Sequence, residues 1–121
     1  MSISTAEAHV METLWQQAPL GAEDIAQALR ATQDWKLPTV KTLISRLVAT
    51  GAIVAEVQGR RYLYSPLLSR DDWLADQSQG LVDRWFGGQL APLVSHFAAH
   101  RRLKPADVQA LKLLLKDLDR G

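Results

Sequence analysis

Residues 37–51, LPTVKTLISRLVATG, carry the strongest structural pattern in this 121-residue sequence. Apolar side chains recur there with the i, i+3, i+4, i+7, i+8 spacing of an amphipathic helix. They are Val40, Leu43, Ile44, Leu47 and Val48. Pro38 suits the first turn of a helix, where its missing amide hydrogen costs no bond, and Gly51 is the residue type that most often follows a helix. The pattern therefore predicts a helix from about residue 38 to residue 50.

The residues after this helix change to a strand-forming pattern. Residues 52–57, AIVAEV, and residues 61–65, RYLYS, are rich in β-branched and aromatic side chains and flank a turn that contains Gly59. This arrangement predicts a β-hairpin. Tyr62 and Tyr64 share one face of the second strand and Leu63 takes the other, so the pattern leaves open which face covers the helices.

Two more helices are predicted before residue 38. Ser4 and Glu7 fit a capping box at the start of the first helix. The second is shorter and is predicted from Ala22 to about Ala31. Residues 1–68 therefore have the order helix, helix, helix, hairpin, which is the order of a winged helix-turn-helix domain.

Residues 69–121 return to a helical pattern, with Ser69 as a cap, Gly87-Gly88 as a break and Pro105 at the start of the last helix. The predicted fold class is mainly α with a small β-hairpin, a winged helix-turn-helix domain (1–68) followed by a helical dimerisation domain (69–121). About fifty residues cannot easily bury so many large apolar groups alone, and a second copy would cover them. Packing back onto the winged helix is the alternative. The predicted dimerisation residues are Leu81, Trp85, Phe86, Leu90, Leu93, Val94, Phe97, Leu111, Leu115 and Leu118.

The outward face of the helix predicted at 38–50 has an unusual composition. On a helical wheel it centres near Thr42, with Ser45 beside it and the cations Lys41 and Arg46 at its edges, and it carries no acidic residue. Small residues permit close approach to a groove about 12 Å wide, and hydroxyls and cations can bond bases or phosphates. A solvated amphipathic helix is the alternative, but such a helix usually mixes Glu with Lys. The face therefore favours DNA binding.

The charge distribution supports the same interpretation. The formal net charge is only +1, which by itself does not indicate a nucleic-acid partner. Residues 1–35 carry −4, residues 36–61 carry +4 and residues 62–121 carry +1. The positive segment contains the outward helix face and the turn of the hairpin, where Arg60 and Arg61 could meet backbone phosphates.

Composition excludes several classes of function. The chain has no cysteine, so disulfides, thiolate metal sites and cysteine nucleophiles are excluded. His96 and His100 have i, i+4 spacing without a surrounding ligand cluster, and we predict no metal and no cofactor. No apolar stretch is long enough for a membrane span and the start lacks the features of a secretory signal, so the expected compartment is the cytoplasm.

Four segments together resemble the penicillinase repressor family of the BlaI/MecI type, which includes copper-responsive repressors of the CopY kind. They are ISTAEAHVMETLW (3–15), LPTVKTLISRLVATGAI (37–53), GRRYLYSP (59–66) and WFGGQLAPLVSHFA (85–98). The resemblance covers nearly the whole chain. It implies a homodimeric winged-helix repressor that binds palindromic operator DNA, with the C-terminal helices holding the dimer.

The resemblance also implies roles for particular residues. Thr39, Lys41 and Thr42 match the start of the family's recognition helix, Arg46 matches an arginine beside the phosphates, and the pair Arg60 and Arg61 falls on the wing. In antibiotic-responsive members a membrane sensor protease pathway leads to cleavage within the dimer domain.

The possible cleavage segment in this chain is His96-Phe97, with His96 where the best-known members have asparagine. Copper-type members carry C-terminal cysteines, and their absence here excludes copper sensing through thiolates.

Three other functions are alternatives to a DNA-binding repressor. A winged-helix protein-interaction adaptor without DNA binding is the main alternative, and it predicts apolar or acidic residues on the outward face of the third helix. An enzyme is not expected, because the sequence has no plausible nucleophile–base pair, paired carboxylate site or phosphate loop. A ligand-sensing regulator remains open, although no residue cluster points to a pocket.

Overall fold

The structure is a computed structural model that describes residues 2–120. This part of the chain forms six α-helices and one two-stranded antiparallel sheet, which confirms the predicted mainly α class with a hairpin. The elements are α1 (Thr5–Gln16), α2 (Ala22–Leu29), α3 (Leu37–Thr50), β1 (Ile53–Gln58), β2 (Arg61–Pro66), α4 (Arg70–Trp85), α5 (Leu90–Ala99) and α6 (Pro105–Asp119).

The chain divides into two compact units within α4, an N-terminal unit that ends at Leu74 and a C-terminal unit that begins at Ala75. The first turn of α4 is part of the N-terminal unit, because Arg70 forms an ion pair with Glu12 at 3.1 Å and the Trp73 ring packs at a tilt against the Trp15 ring, with 5.5 Å between ring centroids. The division therefore lies a few residues after the predicted boundary at 68–69. That residues 1–68 and 69–121 are separate folding domains stays a prediction.

The N-terminal unit has a closed apolar core built from α1, α2, α3 and the start of β1. Burying such side chains removes them from water and supplies most of the free energy that holds small domains together. The core residues are Val10, Met11, Leu14, Ile25, Ala26, Leu29, Val40, Leu43, Ile44, Leu47, Ala52 and Ile53.

The ends of the helices follow the predicted local chemistry. The hydroxyl of Ser4 accepts a hydrogen bond from the amide of Glu7, and the Glu7 carboxylate accepts one from the amide of Ser4, each at 3.1 Å. Gly51 ends α3 with φ at 83°, a left-handed conformation that glycine adopts without steric cost. These caps satisfy backbone groups that a helix terminus leaves without partners.

The hairpin packs on the helices through Tyr64. Leu20 and Tyr64 exchange two backbone hydrogen bonds, of 3.1 and 2.8 Å, and the Tyr64 side chain packs against the core. Tyr62 is 56% exposed nearer the tip, although it lies on the same face of β2. Val48 differs from the predicted apolar stripe, because it is 38% exposed at the edge of α3 that faces the hairpin.

The C-terminal unit differs from the N-terminal unit in that it has no buried core among its described residues. None of its described residues, 75–120, is buried, even though α5 and α6 are rich in leucine. Of the helices in residues 2–120, none combines the length and the apolar character that crossing a membrane requires.

Candidate nucleic-acid interface

α3 presents the predicted residues on its solvent side. One side of the helix contributes four buried residues to the core, and the opposite side faces outward. The predicted residues Thr39, Lys41, Thr42, Ser45 and Arg46 are all exposed. The structure therefore brings all five predicted α3 residues to one accessible surface, which we call the α3 face.

The α3 face is positively charged and has hydroxyl groups at its centre. No ion pair within residues 2–120 involves Lys41 or Arg46, so both charges are available to an external anion. The Thr42 hydroxyl donates a hydrogen bond to the carbonyl oxygen of Pro38 at 3.0 Å, which leaves its oxygen free to accept one. A surface of this kind can meet both phosphates and base edges.

The start of α3 adds Lys36, which contributes to the positive charge of residues 36–61 but was not among the predicted DNA-binding residues. Lys36 is the exposed N-cap residue of α3, and the first turn contains no acidic side chain. A lysine is unfavourable beside the positive end of the helix dipole. An anion bound there would be stabilised by the lysine charge and by the helix dipole together. The absence of acids between residues 36 and 46 was the available sequence signal.

The wing, which we define as β1, β2 and their turn, carries its two arginines in different environments. Gln58 pairs with Arg61 across the hairpin, and Gly59 occupies the turn with φ at 65°. Arg60 lies at the tip, is exposed and forms no ion pair in the described residues. The Arg61 guanidinium instead bonds the Asp24 carboxylate at 3.0 Å. The wing therefore offers one unpaired cation and one neutralised cation.

A cleft of about 600 Å³ lies between the start of α2, α3 and the wing. Lys41 and Ser45 line it from α3, and Arg60 and Arg61 line it from the wing, with Asp24 at the α2 side. Residues as far apart in the sequence as Gly21 and Tyr64 thus border one open, polar cleft. Asp24 was not predicted at this site, because no sequence pattern pairs it with Arg61.

The predicted dimerisation residues lie on the C-terminal unit and are largely exposed. Trp85 is 72% and Leu118 is 66% exposed, and the four least exposed members of the set are still only partly buried. Those four are Phe86, Leu93, Val94 and Leu111. The predicted set therefore forms unburied apolar surface within this unit.

The predicted cleavage segment lies inside α5. His96 and Phe97 are both exposed, and the His96 ring lies 4.2 Å from the His100 ring and 6.3 Å from the Phe86 ring. The described residues contain no group of three or more potential metal ligands. The rings of Phe86, His96 and His100 form a small aromatic cluster.

Sequence comparison finds the same family across most of the chain. Residues 3–117 match the family described as penicillinase repressor. The penicillinase repressor of Bacillus licheniformis is 26% identical over 115 residues, which are 95% of this chain and 90% of that protein. The methicillin resistance regulatory protein MecI of Staphylococcus aureus strain N315 is 26% identical over 93% of this chain and 92% of its own length.

Comparison with solved structures confirms the predicted winged helix. The solution structure of the DNA-binding domain of the repressor BlaI has a TM-score of 0.54 and 30% identity, and it covers 59% of this chain and 87% of that domain. The monomeric form of Bacillus licheniformis BlaI in complex with the blaP half-operator has a TM-score of 0.52, 29% identity and coverages of 60% and 88%. MepR of Staphylococcus aureus, at 21% identity and a TM-score of 0.53, shares the fold over 97% of this chain and 78% of its own.

Proposed function

We propose that this chain, which belongs to the penicillinase repressor family, represses transcription as a homodimer on palindromic operator DNA. The resemblance inferred from the four sequence segments is confirmed. The chain is a DNA-binding transcriptional repressor and not an enzyme, since its family consists of such repressors. Its site of action would be operator DNA in the cytoplasm.

The α3 face is the observation that carries the proposed mode of DNA binding. Its five exposed residues combine two unpaired cations with hydroxyls and no acid. A helix with this surface fits the major groove, where Lys41 and Arg46 can bond phosphates or guanine edges and where Thr39, Thr42 and Ser45 can approach closely. A protein-interaction adaptor would be expected to show large apolar or acidic side chains here, and the five residues of the α3 face include neither.

The wing and the start of α3 supply further cations for the DNA backbone. We place Arg60 against a phosphate, because it is exposed at the tip of the hairpin and has no acidic partner there. Lys36, the N-cap residue of α3, would meet a phosphate at the N-terminal end of that helix. Arg61 belongs to the same wing surface but is paired with Asp24.

The dimer is proposed from the unburied apolar surface of the C-terminal unit. A region without any buried residue gains little from the hydrophobic effect alone, whereas pairing the same surface in two copies removes it from water. A two-fold dimer presents two recognition helices, which explains why a palindromic site would be preferred.

Loss of repression through a membrane sensor protease pathway is a proposal that comes from the family resemblance. The bond between His96 and Phe97 lies within α5, so the helix must unwind locally before a protease can bind that backbone in extended form. We expect mass spectrometry of the repressor from induced cells to find a fragment that ends at His96. Recovery of the intact chain alone would rule out cleavage there.

DNA binding is tested with a duplex selected by the protein from a random-sequence pool. We expect the double substitution Lys41→Ala/Arg46→Ala to weaken binding by at least about 100-fold, because each cation contacts bases or phosphates. Fluorescence anisotropy over a salt series measures the affinity and its salt dependence.

The matched control is Arg84→Ala/Lys112→Ala, which removes one exposed arginine and one exposed lysine from the C-terminal unit. It should bind like the unsubstituted protein. Unchanged binding by the α3 variant would contradict the assigned site, and an affinity that does not depend on salt would contradict the electrostatic mechanism.

A further inference from the structure

Asp24 lies in the cleft beside the α3 face, where a carboxylate should oppose DNA binding. It lines the cleft together with Lys41 and Arg60, both of which we assign to DNA. A phosphate within about 10 Å of an exposed carboxylate is repelled, because that distance is about one Debye length at 0.1 M salt. The structure shows how this charge is neutralised, since the Arg61 guanidinium bonds it at 3.0 Å.

Gly21 provides the space in which Arg61 lies. A β-carbon built at residue 21 would overlap the Arg61 Nη2 atom and come within 3.4 Å of its Cζ atom. The backbone of Gly21 has φ of −81°, which any residue adopts, so its conformation does not require glycine. The absent side chain therefore matters for the position of the arginine rather than for the backbone.

A backbone bridge holds the two ends of this contact together. Leu20, next to Gly21, exchanges hydrogen bonds with Tyr64, three residues after Arg61 on β2. The start of α2 and the wing are thus joined by two main-chain bonds and one side-chain ion pair. Arg60 differs, because it lies on the turn outside this contact.

We infer that Asp24 is a positioning residue that limits DNA affinity, holding Arg61 against Gly21 and away from the phosphates so that Arg60 alone makes the wing's phosphate contact. This inference rests on the proposed function and assigns the two adjacent arginines different roles. Arg61 neutralises a carboxylate of its own protein, whereas Arg60 neutralises a phosphate. Both members of the Asp24–Arg61 pair are more than half exposed, at 52% and 59% of their side-chain surface, so removing the Asp24 charge would leave Arg61 accessible to DNA.

The first test compares Asp24→Asn with Glu23→Gln. Glu23 is the adjacent acid in the first turn of α2, lines the same cleft and has no ion pair in the described residues. Asp24→Asn frees Arg61 for a phosphate, so we expect roughly tenfold tighter binding per half-site at 0.1 M salt and a log K against log salt slope steeper by about 0.9. Glu23→Gln also removes one negative charge from the cleft, but it releases no arginine. The log K against log salt slope of this variant should therefore equal that of the original protein.

The second test separates positioning from direct contact by Arg61→Gln, alone and with Asp24→Asn. We expect Arg61→Gln to weaken binding without changing the salt slope, because it exposes the Asp24 charge and removes no phosphate contact. The double variant, with a neutral pair, should return to the original affinity and slope. A slope shallower by about 0.9 in Arg61→Gln that the second substitution does not restore would show direct contact and overturn the inference.

Thermal unfolding without DNA tests the ion pair itself. It compares the original protein, Asp24→Asn, Arg61→Gln and the double variant. We expect a favourable interaction free energy between Asp24 and Arg61, obtained from the four stabilities. It should decrease at high salt, since an exposed ion pair is screened. Absence of any coupling at low salt would overturn the inference. If the original protein binds no selected duplex, the proposed function fails and the inference fails with it, whereas normal binding with the wrong variant pattern overturns the inference alone.

Discussion

The two units of this chain differ in what they bury. The N-terminal unit, up to Leu74, encloses core residues from three helices and a strand, and Val10, Val40 and Leu47 are 0% exposed. The C-terminal unit, from Ala75, contains three helical segments and no buried residue among those described. The difference shows that similar helical patterns can produce a closed core in one region and exposed apolar surface in another.

The largest expected effect is a loss of stability when a core residue of the N-terminal unit is truncated. Leu47→Ala removes a fully buried side chain from α3, and we expect the free energy of unfolding to fall by about 2–5 kcal/mol. Urea unfolding followed by circular dichroism measures the change. Leu114→Ala in α6, where the side chain is 55% exposed, is the matched control, and an equal loss there would remove the distinction between the units.

Truncating exposed apolar residues of the C-terminal unit should affect assembly before it affects folding. We expect Trp85→Ala/Leu118→Ala to raise the dimer dissociation constant by at least about 100-fold, because large apolar side chains at the centre of an interface contribute most of its binding energy. Sedimentation velocity over a concentration series measures it. Lys112→Ala, an exposed polar position on α6, should leave the dimer intact.

The same experiment can contradict the proposed dimer. A protein that is monomeric at all concentrations before substitution would show that the apolar surface does not pair with a second copy. A double variant that remains dimeric would show that these two residues lie outside the interface.

Two glycine substitutions should have small effects of opposite sign in the two units. Gly51→Ala places a β-carbon on a left-handed residue, which we expect to cost about 1 kcal/mol. Gly80→Ala lies within α4, where the nearest atom is an Arg84 nitrogen at 3.8 Å, and it should stabilise the protein by about 0.5–1 kcal/mol. Thermal unfolding measures both, and a loss of stability in Gly80→Ala would mean that this face of α4 is needed for close packing.

Most of the fold could be predicted from sequence because its signals are local. The capping box at Ser4 and Glu7, the apolar spacing of α3 and the glycine after it each lie within a few residues, and the structure has all three. The exposed composition of the α3 face follows from the same periodicity. A helical wheel is enough to find it, since burying one side of a helix exposes the other.

Part of the candidate site could not be predicted, because it depends on contacts between distant segments. Asp24 and Arg61 are 37 positions apart, and no periodic pattern connects a helix start with a hairpin. The alternation in β2 also left both faces possible, and only the structure shows that the Tyr64 side chain packs against the core. Val48 fits the apolar stripe but lies at its edge, where wing residues border it instead of the core.

The sequence by itself determined the order of the helices and hairpin, the cationic face of α3, the absence of cysteine chemistry and the resemblance to the family. These follow from residue types and short spacings, which act before any tertiary contact forms. Only the tertiary structure decided which arginine of the wing remains free, because a charge is available to DNA only if no acidic group of the folded chain reaches it first. The net charge of +1 is compatible with DNA binding for a different reason, because the positive charge is concentrated in residues 36–61.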